Sequence, residues 1–294
     1  LSANTTGYDN TAVGTAAGTT ASTAVGCTFV GRACGDAETD GLFSTAVGSN
    51  ACGAQVSADY NVAVGSNALD AATTSSANVA IGYAALTSAT TGGTNTAVGY
   101  NAMGSADGSI LCSTLGYGAG ADLTTGSNNL MLGYQSGSSS SPATVTTASN
   151  AIVLGNDSIT HFYCKIDTIT TSDLRDKTDF SPLDLGLGFV NQLNPVTYRW
   201  DMRSHYLTNG SEDLSSVTPD GTHKEDELQL GFKGQEVEAL EAAEGYSIEN
   251  KSSLLTDVSD DGNKYSIKYS RFVPILVKAV QELSAEVEKL KEQN

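Results

Sequence analysis

The sequence has few large apolar side chains. Aromatic residues make up 7% of the 294 residues, with a single Trp and three Met, while Gly alone contributes 31. No apolar run approaches the ~20 residues of a membrane span, so we expect no membrane insertion. The length allows about two domains. A chain so poor in large residues folds best by stacking many small repeated units, each of which buries a little surface.

Positive charge is also scarce. The chain has 15 Lys and Arg against 33 Asp and Glu, a formal charge of −18. Residues 1–171 contain 10 acidic and 2 basic residues (net −8), and residues 172–294 contain 23 and 13 (net −10). Neither half offers the basic surface that phosphate neutralisation requires, so no nucleic-acid partner is expected. The N-terminus lacks the layout of a signal peptide, and Leu1 in place of Met indicates a fragment or processed product.

The cysteines form no recognisable framework. Their number is odd and none is in C-x-x-C spacing: Cys27, Cys34, Cys52, Cys112 and Cys164. This pattern predicts neither a disulfide scaffold nor a zinc site, and favours buried small fillers in a reducing cytoplasm. The three His are scattered, and no metal or cofactor is expected.

The strongest internal pattern is a 17-residue repeat. It is marked by a glycine at Gly14, Gly31, Gly48, Gly65, Gly82, Gly99, Gly116 and Gly133. The residue before each glycine is always branched and apolar: Val13, Val30, Val47, Val64, Ile81, Val98, Leu115 and Leu132. The residue three positions after it is always small, and Asn dominates four positions before it. A ninth copy, 152–155, follows after 22 residues, and its five extra residues predict a loop within 138–149.

Each copy predicts a short strand, such as residues 95–98, followed by a turn at the glycine. Stacked copies place like residues above one another at roughly 4.8 Å, and we expect the branched column to form a core. A second column becomes aromatic at Tyr83, Tyr100, Tyr117 and Tyr134. These tyrosines form a possible ligand ladder that binds glycans by ring stacking; alternatively, they fill space or seal a seam between chains.

The sequence of the C-terminal half is typical of a small α+β domain. Apolar residues at heptad spacing predict a final helix: Val273, Leu276, Val280, Leu283, Val287 and Leu290. Three heptads are marginal alone, which favours a partner helix or docking over a self-contained amphipathic helix. Upstream, residues 257–262 superficially resemble a calcium loop, but without a closing glutamate they predict a hairpin turn.

The boundary between the halves carries a candidate catalytic pair, Ser172 and Lys177. A serine hydroxyl becomes a good nucleophile when a base removes its proton, and lysine serves as that base when desolvation or nearby cations lower its pKa. On a regular helix, residues five apart point about 140° from each other. The segment must therefore bend, or the base must come from another chain. The alternative is that Ser172 caps a turn while Asp173 and Arg175 form an ion pair.

Four segments in order, spread over essentially the whole chain from residue 172, carry a family resemblance: Ser-Asp-Leu-Arg-Asp-Lys at 172–177, Leu-Asn-Pro-Val-Thr-Tyr-Arg-Trp at 193–200, Gly-Phe-Lys-Gly-Gln-Glu-Val-Glu at 231–238, and residues 265–269 followed by Phe272 and Pro274. They resemble the peptidase S74 family, the intramolecular chaperone auto-processing domains of phage tail fibres and spikes. Lys233 and Gly234 depart from the family pattern, where an apolar residue and an alanine are usual.

The resemblance implies a trimerisation chaperone that cuts itself off. Ser172 would attack the Thr171 carbonyl with Lys177 as base, and the supporting motif residues would be Thr171, Asp173, Arg175, Gln235 and Glu236. It also implies a homotrimer in the virion, assembled in the host cytoplasm. The implied partners are other virion tail proteins and a host-cell surface receptor, for which a glycan is one candidate.

The repeats themselves resemble the head repeats of trimeric autotransporter adhesins, which are left-handed β-rolls. The expected fold is mostly β: a trimeric β-solenoid over 1–137, a loop, last repeat and connector over 138–171, and a small α+β chaperone domain with a coiled-coil-like helix over 172–294. Near-identical repeats specify register poorly, so a nucleating trimer at one end is needed. The competing interpretations are a trimeric surface adhesin and a structural fibre whose chaperone domain is not cleaved.

Overall fold

The computed structural model describes residues 1–163, 172–207 and 213–293. It divides into two compact units. The first comprises Leu1–Thr160 with Leu207–Ser216, and the second His161–Tyr206 with Val217–Asn294. No helix among the described residues is long and apolar enough to cross a membrane.

The first unit contains one parallel sheet of nine three-residue strands in chain order. The strands are β1 Thr11–Val13, β2 Thr28–Val30, β3 Thr45–Val47, β4 Val62–Val64, β5 Val79–Ile81, β6 Thr96–Val98, β7 Ser113–Leu115, β8 Leu130–Leu132 and β9 Ile152–Leu154. Each pairs with the next in repeat register, so Val13 lies beside Val30 and Leu132 beside Leu154. The predicted β-solenoid, including its ninth copy, is confirmed.

The glycine after each strand is required by close packing between coils. Gly65 and Gly82 adopt φ of +138° and +136°, which side chains rarely tolerate. A Cβ on Gly65 would lie 2.4 Å from the carbonyl oxygen of Gly82, one coil further on. The glycine recurs every 17 residues because consecutive coils contact each other through their backbones at this position.

The predicted core column was wrong for the single chain. The middle residue of each strand points inward, whereas the branched third residue points outward: Val13 is 58% and Leu115 55% exposed. The reason is the alternation of side chains along a strand, which puts the first and third residues on the same outer face. The buried middle column is Phe29, Ala46, Ala63, Ala80, Ala97, Thr114, Met131 and Val153.

The interior is filled by complementary volumes. A Cβ on Gly18 or Gly35 would lie 2.8 or 2.3 Å from the Phe29 ring, and one on Gly137 would lie 2.4 Å from the Met131 sulfur. In the coils of β3 to β6, where the strand centre is a buried alanine, the position equivalent to Gly18 instead carries a buried larger residue: Cys52, Leu69, Leu86 or Met103. Large residues at the strand centre thus lie against small residues in the turn, and small residues at the strand centre go with large residues in the turn. The interior therefore differs from coil to coil.

The recurrent asparagines form a buried polar ladder. Asn78 accepts from the Asn95 backbone N–H at 3.0 Å, and the Asn95 side-chain amide donates to the Ser109 carbonyl at 2.7 Å. Cys112 stands in the same column and donates its thiol to the Gly126 carbonyl at 3.4 Å. The free cysteines at 27, 34, 52 and 112 are all buried, as predicted; Cys164 lies outside the described residues.

One carboxyl group is buried among these coils. Glu38 is fully buried, and its Oε1 accepts from the Gly41 backbone N–H at 2.6 Å. Its Oε2 has no hydrogen-bond partner among the described residues. Burial raises the pKa of Glu38 to about 7. Gln55 occupies the equivalent position one coil on and donates its amide to the Ala58 carbonyl at 2.6 Å.

The second unit is α+β. Its helices are α1 Leu187–Val190, α2 Gly234–Ala243 and α3 Phe272–Glu292, with 3-10 turns at Leu174–Asp176, Arg203–Tyr206 and Tyr269–Arg271. Strands β10 Val196–Tyr198 and β11 Gln229–Gly231 pair antiparallel, as do β12 Thr256–Val258 and β13 Tyr265–Ile267. The second pair confirms the predicted hairpin around residues 257–262. The core comprises Leu185, Phe189, Val237, Leu255, Phe272 and Ile275.

A second buried carboxylate, Glu241 of α2, organises this unit. It accepts the backbone N–H groups of Leu254, Leu255 and Thr256 at 2.8, 2.6 and 3.0 Å. The hydroxyls of Ser253 and Thr256 also donate to it, at 3.1 and 2.6 Å. These five bonds attach α2 to the segment that leads into the β12–β13 hairpin.

The final helix has two apolar faces. One packs on the unit through the buried residues Phe272, Ile275 and Ala279, and the Leu187 backbone N–H donates to Glu282 of this helix at 2.7 Å. The predicted heptad seam lies on the other face and is exposed at all six positions: Val273, Leu276, Val280, Leu283, Val287 and Leu290. The helix is confirmed, and no described residue of the chain covers its seam.

Candidate functional site

The chain bends sharply at the predicted catalytic pair. A 3-10 turn, Leu174–Asp176, separates two extended residues, Asp173 (ψ 133°) and Lys177 (φ −127°, ψ 147°). This brings the Lys177 Nζ to 2.5 Å from the Ser172 Oγ, to which it donates a hydrogen bond. The pair meets within one chain because the turn is short and tight. Of the two possibilities left by the sequence, a bent segment or a base from another chain, the structure has the bent segment.

Asp173, not Ser172, caps this turn. The Asp173 carboxylate accepts from the Arg175 backbone N–H at 2.8 Å and from two nitrogens of its guanidinium at 3.0 and 2.6 Å. The Arg175 hydrogen bonds lower the pKa of Asp173, and the same contacts raise the pKa of Arg175. The predicted ion pair is present, and it leaves the Ser172 hydroxyl to Lys177.

The pair lies in the open on the single chain. Ser172 and Lys177 are both exposed, and the intervening Leu174 is 70% exposed. A hydroxyl and an amine in contact can exchange a proton directly, which is the geometry of a Ser–Lys dyad. The described residues do not supply the burial that a lysine base requires.

The other supporting residues lie elsewhere. Thr171, on the acyl side of the predicted scissile bond, is outside the described residues. Gln235 and Glu236 are exposed in the first turn of α2, where Glu236 pairs with Lys233 at 2.6 Å and accepts from the Asn194 amide at 3.4 Å. Neither makes a hydrogen bond to the Ser172–Lys177 pair in the described parts of the chain.

The motif around α2 has a packing role. The Phe232 ring stacks on Phe272 at 5.3 Å, and its backbone N–H donates to the Tyr269 hydroxyl at 3.1 Å. A Cβ on Gly231 would meet that hydroxyl at 2.3 Å, and one on Gly234 would lie 2.9 Å from the Tyr265 Cβ. The glycine at 234 therefore makes room for Tyr265, and the departures from the pattern are accommodated locally.

The tyrosine column of the first unit is a continuous stack. Successive rings of Tyr83, Tyr100, Tyr117 and Tyr134 lie 5.1, 4.8 and 5.4 Å apart, with interplanar angles of 17°, 5° and 22°. Each ring is about half exposed. Because the inner rings cover each other's faces, a ligand meets their edges and hydroxyls, and a sugar can stack only at the ends of the column.

The role of Glu241 was not predicted from the sequence, because no motif indicates its five hydrogen bonds. The one signal was an acidic residue among the apolar positions of a short helix, three after Glu238. The sequence also left open whether Ser172 and Lys177 meet within one chain. That depended on the 3-10 turn, which Asp173 caps.

Comparison with known proteins bears on this half of the chain. No curated protein and no solved structure matches the sequence. Residues 172–246 match the Peptidase_S74 family model, described as chaperone of endosialidase. The match begins at Ser172 and runs through α2 to Tyr246, so it contains both the bent Ser–Lys segment and Glu241. Over residues 172–246 this chain is therefore similar to the Peptidase_S74 family.

Proposed function

We propose that this chain is part of a trimeric viral tail fibre or appendage that attaches to a host cell. Residues 172–294 act as an intramolecular chaperone for its trimerisation and then cut the Thr171–Ser172 bond. The observation that carries the proposal is the 2.5 Å contact between Lys177 and Ser172 at the start of the Peptidase_S74 match.

The reaction uses the pair as nucleophile and base. The neutral Lys177 amine takes the hydroxyl proton as the Ser172 oxygen bonds to the Thr171 carbonyl carbon. The peptide C–N bond breaks when the Ser172 nitrogen takes up a proton, and water hydrolyses the resulting ester. The products are a carboxylate at Thr171 and a free amino group at Ser172.

Exposure of the pair supports coupling between cutting and assembly. A lysine base needs a dry or cationic surrounding, and the described residues leave Lys177 in water. Packing of neighbouring copies around Leu174 would bury the pair. Cleavage would then wait until three chains are together, so the chaperone is released after its work is done.

Two substitutions test the cleavage directly. Ser172→Ala removes the nucleophile, and Lys177→Arg keeps the cation but removes a usable base, since arginine does not deprotonate. Each should slow cutting by about 10³-fold or more while the trimer still forms. A denaturing gel and N-terminal sequencing should find a fragment that starts at Ser172 in the wild type alone.

The matched control is Ser181→Ala, an exposed serine in the same unit, which should cut normally. If both dyad variants still release the fragment that starts at Ser172, another protease makes the cut. A wild-type chain that trimerises but stays whole would favour the second candidate function, a fibre whose chaperone domain is never cleaved. The exposure of Lys177 in the single chain is the observation on its side.

The chaperone role is tested by expressing residues 1–171 alone. Without the S74 domain we expect monomer or aggregate, because repeats with the same outer side chains pair equally well when one chain slips by a coil. Light scattering and circular dichroism measure assembly and fold. Recovery of the native trimer from this fragment at normal yield would remove the chaperone from the proposal.

A further inference from the structure

We infer that the outer face of the nine-stranded sheet is the surface through which copies of this chain pack against each other. This outer sheet face consists of the first and third residues of strands β1 to β9. The inference rests on the proposed trimer and names the surface that forms it. The partner is a second copy of the same chain.

The outer sheet face is largely apolar, and its side chains are half-buried or exposed on the single chain. Its third-residue column is the branched series from Val13 to Leu154, and its first-residue column has Thr or Ser at five strands and Val, Leu or Ile at the other four. Ile152 is 70% exposed, and Val64 and Ile81 are also exposed. A continuous apolar column of this length is unusual on a surface that stays in water. All-parallel sheets are generally covered on both faces, and here the coils cover one.

Charge restricts which surface can join two copies. Nine strands contribute two residues each to the outer sheet face, and none of these 18 is charged. The acidic residues described in the array all lie elsewhere: Asp9, Asp36, Glu38, Asp40, Asp59, Asp70, Asp107, Asp122 and Asp157. Like-charged copies repel where carboxylates face each other. The uncharged sheet face is the surface on which this repulsion is weakest.

The geometry fits a copy of itself. Every coil repeats a branched apolar residue in register at the spacing of parallel strands, so a second copy presents branched side chains at the same intervals. Nine coils at ~4.8 Å give a height of ~43 Å, and three residues at ~3.3 Å each give a width of ~10 Å, so the face offers roughly 430 Å² on each copy. A standard interface uses about 800 Å² on each partner. The exposed heptad seam of α3 offers further apolar surface of the same kind.

The same face explains why assembly needs help. Inside the coils, Phe29 fits only against Gly18 and Gly35, so the chain's own coil register is specified. Outside, the branched column is nearly uniform, so two copies that slip by one coil bury almost the same side chains. The outer sheet face supplies attraction between copies without supplying alignment. A chaperone at one end supplies the alignment.

The experiment places charge on this face of the full-length chain, in a Ser172→Ala background that keeps it whole. Ile81→Lys and Leu115→Lys are combined; both positions are exposed, so the single chain keeps its fold. The matched control combines Thr74→Lys and Thr91→Lys, exposed positions off the outer sheet face in neighbouring coils. Analytical ultracentrifugation measures assembly and circular dichroism measures the sheet. We expect association about 100-fold weaker or worse in the face variant and unchanged in the control.

A cross-link gives a second measurement that does not depend on disruption. Leu115→Cys should form a disulfide between copies on mild oxidation, and Thr91→Cys should not. A trimer that tolerates the two face lysines as well as the control lysines, or that gives no cross-link at Leu115→Cys, overturns this inference and leaves the proposed trimer in place. A wild-type chain that is monomeric with an ordered array overturns both.

Discussion

Among the described residues, each unit buries one glutamate completely, and the two carboxyl groups differ in how many hydrogen bonds they accept. Glu241 of the second unit accepts five hydrogen bonds, three of them from consecutive backbone N–H groups. Glu38 of the array accepts one, from Gly41, and its other oxygen has no partner among the described residues. Burial raises the pKa of Glu38 to about 7, because the charged form is poorly solvated.

The difference follows from the two architectures. In the solenoid, backbone N–H groups are committed to carbonyls of neighbouring coils, such as Val62 to Asn78 and Thr45 to Asn61. Few donors remain for a carboxylate placed between coils. In the second unit, the irregular segment 253–256 leaves three N–H groups free to converge on one side chain. The periodic fold therefore leaves a buried acid with few hydrogen bonds. In the irregular segment, several backbone N–H groups can donate to one carboxylate and so attach neighbouring elements to each other.

The largest expected change in stability is the loss caused by Glu241→Gln. Glu241→Gln replaces one accepting oxygen by an NH2 group that faces N–H and hydroxyl donors, so at least two donors lose their acceptor inside the unit. We expect the second unit to lose about 3–5 kcal/mol of stability, enough to unfold a marginal domain. Urea unfolding followed by the fluorescence of Trp200, which lies in this unit, measures it.

Glu238→Gln is the matched control on the same helix, since the Glu238 carboxylate makes no hydrogen bond to a described residue. It should change stability by less than about 0.5 kcal/mol. Equal losses in the two variants would mean that charge on α2, not the five bonds, stabilises the unit. Loss of Glu241 should also impair trimer assembly, because it attaches α2 to the hairpin that precedes α3.

Much of the array could be predicted from the sequence, because its period fixes its structure. The glycine interval set the coil length, and the branched residue before each glycine located every strand, including Ile152–Leu154 after the inserted loop. The inside of the coils was assigned wrongly. The branched column looked like a core, but the alternation in a three-residue strand turns Val64 outward and Ala63 inward.

The residues that fill the interior also escaped prediction. Leu69, Leu86 and Met103 lie in turns at positive φ, where large apolar residues are rare. A signal was present in the inverse pattern of volumes, with Gly18 and Gly35 on either side of Phe29 along the chain. In the second unit, Ser172 and Lys177 were found by motif, but their contact depends on a 3-10 turn that spacing alone does not specify.

The smallest expected effect, and one of opposite sign, is at Glu38. Its pKa is about 7 in the folded chain and near 4.5 when unfolded, so the folded state binds more protons between these values. Stability is therefore greatest below pH 4.5 as far as this group is concerned, and falls as pH rises to about 7, by about 3 kcal/mol in total.

Glu38→Gln removes the charge that burial penalises, and Gln55 shows that glutamine fits the equivalent place one coil on. The variant should be more stable than the wild type at pH 8 by up to about 3 kcal/mol and nearly equal to it at pH 4.5. Denaturant unfolding at fixed protein concentration at the two pH values measures this, with Asp9→Asn, an exposed acid elsewhere in the array, as the control. If Glu38→Gln and Asp9→Asn shift stability equally at pH 8, the gain comes from lower net charge, and the buried acid is not the weak point of the array.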